Sequence, residues 1–261
     1  MKLFRNVFIF LICIWGFFTS GCKEKTEVVS ENALYNVRDD YGYTTNFSKK
    51  PDRILTLSMG LDAIVIGLKG TDSLLAVSAM HRDESCSNIV PLAKNINRTI
   101  WQASVEEILS LRPDVVLVND VESGEAVSSL RAIGLKVVVF KDPQSIQDIK
   151  GNIELVAKSI GEETKGAKLI GKMDEKLAEL QEKLKKYPVK KKVALISLMN
   201  NYGGKGCIYD DICEKANVIN GIAQVGLKNG QPLTKEMVVK MNPDVFLLPG
   251  YNYDGFGLEE Y

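Results

Sequence analysis

Two stretches, one in each half of the chain, repeat a single local pattern. Ser104–Asp114 reads SVEEILSLRPD, Leu233–Asp244 reads LTKEMVVKMNPD, and each runs directly into an apolar strand. Ser104 or Thr234 can cap a helix, and Glu106 or Glu236 then falls in its first turn, where the helix dipole favours negative charge. Proline closes the helix by withholding an amide and restricting the residue before it. By itself this is only a capping-and-turn pattern, and the parallel sheets are read from the alternation of strands and helices around it.

The intervening sequence fits that reading. From Arg53 onward short apolar runs alternate with amphipathic stretches, and Ile54–Leu57, Val115–Val118 and Val137–Phe140 are the clearest strands. Leu34–Asn46 reads as a surface hairpin turning at Asp39, Asp40 and Gly42, and Pro51 stops it. Glu162–Lys186 places Leu169, Met173, Leu177, Leu180 and Leu184 at steps of three and four, which predicts one long helix ended by Tyr187 and Pro188. The alternation then resumes with a strand at Val193–Leu198, a glycine-rich loop, helices near Asp211–Ala216 and Thr234–Lys240, and a strand at Val245–Leu248. The expected fold class is α/β, with two parallel-sheet lobes joined by a single long rigid helix. The N-lobe spans 34–160, the linking helix 161–187 and a short C-lobe 188–261. A helical linker resists wide hinge bending, so only a small closure on ligand is expected.

The N-terminus has the order of a secretory leader over residues 1–21: Lys2 and Arg5, the apolar run Val7–Phe18, then Thr19, Ser20 and Gly21 before Cys22. That run is short for a membrane span. Small residues before a cysteine resemble a bacterial lipobox, with Thr19 where that motif usually has Leu, and make Cys22 the acylated first residue of the mature protein. A soluble secreted protein cleaved near Gly21 and an uncleaved anchor remain the other readings. Residues 22–33 are polar and charged, as suits a tether. The expected location is the bacterial membrane, held by lipid and facing the periplasm or the exterior.

Several function classes are excluded by what is missing. Lys plus Arg equals Asp plus Glu at 33 each, and no basic stripe with interleaved aromatics appears, so no nucleic-acid partner is expected. His81 is the single histidine and there is no G-x-S-x-G elbow or paired metal motif, so neither an enzyme, a cofactor nor a metal site is expected. Gly204-Lys205-Gly206 lacks the spacing and the hydroxyl residue of a phosphate loop. Cys86, Cys207 and Cys213 lack zinc-type spacing; Cys207 and Cys213 are either a disulfide or buried thiols.

The opening Tyr35–Gly42 and Lys50–Ser58, the loop Gly203–Gly206 and the two helix-Pro-Asp segments together resemble the family of ABC-importer binding proteins for iron-siderophores, haem and vitamin B12. The resemblance covers nearly the whole mature chain. It implies that Glu106 and Glu236 dock against arginines of a membrane permease; the plainer reading is that they only complement helix N-termini. Thr99-x-Trp101-Gln102 is similar to a region of the vitamin B12-binding protein, and a flat indole suits a corrin, haem or catecholate, although a tryptophan in the core or packed between lobes fits as well. Further cleft candidates follow strand ends: Ser58 and Met59, Asn119 with Asp120, Asn200, Asn201 and Tyr202, and Tyr251 and Tyr253. The implied protein is a monomer that captures a small molecule and passes it to an ABC permease and its ATPase. The alternatives are a surface lipoprotein that senses or adheres through a protein partner, or a truncated, non-functional copy, because family members continue past the equivalent of Leu248.

Overall fold

A computed structural model describes residues 33–120, 124–197 and 201–248. The first lobe opens with the hairpin β1 (Tyr35–Arg38) and β2 (Thr44–Phe47). It then alternates β3 (Ile54–Thr56), α1 (Met59–Lys69), β4 (Val77–Ser78), α2 (Val90–Ala93), β5 (Thr99–Ile100), α3 (Val105–Leu111), β6 (Val115–Asn119), α4 (Gly124–Ala132) and β7 (Val137–Phe140). Helices α5 (Ile146–Ile160) and α6 (Glu163–Leu184) lead to the second lobe. That lobe holds β8 (Lys192–Leu195), α7 (Ile208–Lys215), β9 (Ile219–Asn220), α8 (Gly221–Gln224), α9 (Lys235–Met241) and β10 (Val245–Leu247).

The first lobe is built on the parallel sheet β3-β6-β7, with Ile54 beside Val115 and Val116 beside Val137. Its apolar runs do not alternate with polar residues because both faces are covered. Ile54, Val115, Leu117, Val138 and Phe140 meet Leu61 and Val65 of α1 and Val156 and Ile160 of α5 on one side. Leu55, Val116, Val118, Val137 and Val139 meet Ile108, Leu111, Val127 and Leu130 on the other. The hairpin is not merely a surface feature, as its sequence suggested. Period-two alternation turns Val37, Thr45 and Phe47 inward. The buried Asp39 carboxylate accepts the N–H groups of Tyr41, Tyr43 and Val139 and an Arg131 guanidinium N–H at 2.6 Å, which fastens the turn to β7.

The helix expected between the lobes is present as α6, but only its start is packed. Gly166 is its one buried residue, and a Cβ there would lie 2.5 Å from Ala157 Cβ, so a glycine lets α5 and α6 cross closely. Farther along, Leu180 is exposed and Met173, Leu177 and Leu184 are half-buried. Hydrogen bonds tie the second lobe back: Gln181 Nε2 donates to the Lys215 carbonyl at 2.7 Å, the Ile146 N–H donates to Asp211 at 2.8 Å, and Asn217 Nδ2 donates to the Tyr187 carbonyl at 3.1 Å.

The second sheet, β10-β8-β9, is also parallel, but its core is small: Ala194, Ile196, Ile222, Leu227, Leu233 and Met241. Two expectations change here. The strand read at Val193–Leu198 ends at Leu195, and Val245–Leu248, read as a buried strand, is 42–52% exposed. An apolar run signals burial only when other elements cover it, and among the described residues β10 pairs with β8 alone. The two-residue strands β4, β5 and β9 are too short to carry a period and were not legible in the sequence.

Candidate functional site

The repeated segments fold alike to the level of single hydrogen bonds. Ser104 Oγ accepts the Glu107 N–H at 3.2 Å at the start of α3, and Thr234 Oγ1 accepts the Met237 N–H at 3.3 Å at the start of α9. Arg112 (φ 47°) and Asn242 (φ 46°) end the helices in the left-handed region. Beyond the prolines, Asp114 accepts the N–H groups of Asp52 and Arg53, and Asp244 accepts that of Lys192 at 2.8 Å. A cation at the start of each lobe's first sheet strand then reaches the helix end. Arg53 donates to the carbonyls of Leu111 and Arg112 at 2.5 and 2.9 Å, and Lys192 Nζ donates to that of Met241 at 2.7 Å. Sequence reasoning missed these two cations; their signal is that each sits just ahead of or at the first residue of an apolar strand in both lobes.

This framework holds Glu106 and Glu236 in the same pose, both exposed. Each carboxylate accepts its own backbone N–H first and the cap hydroxyl of Ser104 or Thr234 second, which holds its pKa below the ordinary glutamate value.

At the carboxyl end of the first sheet, three predicted residues come together. Ser58, Trp101 and Gln102 line one hollow of about 40 Å³ with Thr56, Ser78 and Ile100. Trp101 is 70% exposed, which rules out the core alternative for it. Asn119 closes β6 on the neighbouring strand, and its buried Oδ1 accepts no hydrogen bond from the described residues. Met59 departs from its expected loop: it is the first residue of α1, because Ser58 leaves the strand in extended conformation and stands at the N-cap position without a side-chain bond to the helix. Its carbonyl lies 3.3 Å from His81 Nε2.

Beneath the hollow is a buried polar cluster. Asp62, fully buried, accepts the Thr56 hydroxyl and the Ser78 N–H at 2.8 Å, and lies 3.4 Å from His81 Nε2. His81 Nδ1 is 2.7 Å from Ser87 Oγ. The only histidine is therefore spent on structure and does not face the hollow. Nearby, Tyr41 donates to Asp120 at 2.7 Å, a hairpin-to-strand-end contact that no local pattern announces.

In the second lobe Asn201 is exposed and its carbonyl accepts the Gly230 N–H at 2.8 Å, while Tyr202 is half-buried against Cys207, Tyr209 and Cys213. Burial raises the Tyr202 pKa, with added contributions from Cys207 and from Asp142, which lies just past β7 in the first lobe. The glycine-rich loop owes its composition to a close approach: a Cβ on Gly204 would fall 2.4 Å from the Lys228 carbonyl carbon. Lys205 pairs there with Leu227 and Asn229 at 2.9 and 3.0 Å. Gly204→Ala is expected to cost about 1–3 kcal/mol through the backbone shift this forces. A lower urea unfolding midpoint would register it, and an unchanged midpoint would refute the packing argument.

Cys207 and Cys213 are free, buried thiols, which decides against the disulfide. Cys207 caps α7 and Cys213 lies six residues along it, about 9 Å by helical rise and beyond disulfide reach. Among the described residues no group of His, Cys, Asp and Glu could hold a metal ion, and no helix is long and apolar enough to cross a membrane. Cys22, Asn200, Tyr251 and Tyr253 lie outside the described residues.

Comparison with known proteins adds three relationships. An ABC transporter substrate-binding lipoprotein of Bacillus subtilis (strain 168), YvrC, is 25% identical over 87% of this chain and 72% of its own length. A probable siderophore-binding lipoprotein of the same organism, YfiY, is 24% identical over 70% of this chain, which spans 56% of that relative. The structure of the periplasmic haem-binding protein RhuT from Roseiflexus sp. RS-1, in apo form, shares the fold with a TM-score of 0.66, at 23% identity over 76% of each chain. The family model described as periplasmic binding protein matches residues 54–252, running from β3 through both repeated helices, and the chain belongs to that family.

Proposed function

We propose that this protein is the substrate-binding lipoprotein of an ABC importer. It takes up an iron chelate, a ferric siderophore or haem, or cobalamin, and delivers it to the permease and its ATPase. The observation that carries this reading is the duplicated helix: one exposed, anionic glutamate per lobe, held by matching caps and matching cations at the helix ends. A binding protein released after each delivery needs such a polar contact on each lobe, and Glu106 and Glu236 would meet arginines of the permease there. The names of YfiY, siderophore-binding, and RhuT, haem-binding, support the iron-chelate part of that ligand class. Cys22 would carry the lipid that keeps the protein, as a monomer, at the outer face of the membrane.

The hollow beside Trp101 is far too small to enclose a macrocycle, so it would serve as one wall of the site. A ligand stacked on Trp101 would cover much of a large, exposed indole. At about 25 cal/mol per Å² that contact is worth roughly 2–3 kcal/mol. Trp101 is the only tryptophan after Cys22, so a protein beginning at Lys23 carries a single fluorescent reporter. Titration with haemin, cobalamin and ferric siderophores is expected to quench it saturably for one of them, with calorimetry excluding optical artefacts. Trp101→Ala should then weaken that ligand about 30- to 150-fold by calorimetry. No binding of any of the three classes by the folded protein would overturn the transport reading.

A further inference from the structure

We infer that Leu109 and Val239 are the second half of the docking surface: an aliphatic contact on each lobe, one helical turn beyond the glutamate. This rests on the docking reading of Glu106 and Glu236. Residues three apart share a helix face, so Leu109 stands beside Glu106 on α3 and Val239 beside Glu236 on α9. The helix register gives them no structural task. Leu111 and Ile108 bury 92% or more of their surface on α3, and Met241 is buried on α9 with Val238 half-buried, while Leu109 is 41% and Val239 81% exposed.

A single exposed aliphatic residue is ordinary on a protein surface. Here the same exception occurs at the same register of both segments. Those segments otherwise differ at most positions, sharing Glu, Pro and Asp. The pattern fits one kind of partner: a protein surface offering a guanidinium with an apolar side chain next to it, presented twice, as a permease dimer of like subunits would offer it. The charges match, since each glutamate is held anionic by its own amide and the cap hydroxyl.

The two halves of such a contact act on different rates. Exposed charges steer encounter and make it salt-dependent, whereas buried aliphatic area lengthens the lifetime of the complex. The test uses the full-length lipoprotein and the permease–ATPase complex that purifies with it, placed in lipid nanodiscs, with association and dissociation followed at several salt concentrations. Leu109→Ser with Val239→Ser is expected to raise the dissociation rate about tenfold or more while keeping the association rate and its salt dependence. Glu106→Gln with Glu236→Gln is expected to slow association and flatten its salt dependence. Val239→Ser alone, at the more exposed site, guards against an effect of unfolding, and Val239→Leu should restore the slow dissociation. If the serine pair dissociates like the wild type while the glutamine pair binds poorly, this inference fails and the docking reading stands. If neither pair changes binding, or the wild type holds no permease complex, the docking reading fails with it.

Discussion

Asp62→Ala is expected to remove about 3–5 kcal/mol of folding stability, a large share of what a domain of this size possesses. The carboxyl group is fully buried and collects the Thr56 hydroxyl, the Ser78 N–H and the neighbouring His81 imidazole. Alanine would take the acceptor from the buried Thr56 hydroxyl and from the part-buried Ser78 N–H and leave His81 Nε2 with the Met59 carbonyl alone, and each orphaned polar group costs about 1–3 kcal/mol. Urea unfolding followed by circular dichroism measures the loss; a change below about 1 kcal/mol would mean that the cluster is not a structural keystone. Asp62→Asn keeps the shape and one acceptor and should fall between the two. Because Thr56 and Ser78 also line the hollow beside Trp101, the alanine variant should bind ligand weakly even at temperatures where it remains folded.

Reversing both docking charges, Glu106→Arg with Glu236→Arg, is expected to abolish uptake while leaving ligand affinity unchanged. Each substitution would set a guanidinium against the proposed permease arginine, and like charges across an interface are strongly disfavoured. Either single reversal should leave residual uptake, since the other lobe still docks. Uptake by the double variant at the wild-type rate would overturn the assignment whatever the ligand proves to be. The pH dependence has a definite sign. Both carboxylates have depressed pKa values, first through their own backbone amides and then through the cap hydroxyls. Their charge therefore persists through the range around 4.3 where an ordinary glutamate protonates, and is lost only as pH falls through the depressed values. Docking measured between pH 7 and pH 5 should be flat on this account.

The parts of the fold legible in the sequence are those decided within a few residues. Ser104 and Thr234 cap helices because a hydroxyl reaches an amide three residues on, and Pro113 and Pro243 mark their ends because a proline disfavours right-handed helical backbone in the residue before it. Ile54, Val115 and Val137 announce covered strands, and the stripe from Leu169 to Leu184 announces a long helix. At the candidate site, Ser58, Trp101 and Gln102 were readable as residues flanking strand ends, and the structure gathers them at one hollow.

Tertiary structure alone decided which distant groups meet. Asp62 with Ser78 and His81, Tyr41 with Asp120, Asp39 with Arg131, and Arg53 and Lys192 at the helix ends are contacts between segments far apart in the chain. Sequence-separated pairs leave no periodic trace, because nothing in either segment's own backbone requires the other. The same reason governs exposure. Val245–Leu247 carries the same apolar run as the buried strands and stands open because burial depends on what packs against a strand, not on the strand itself.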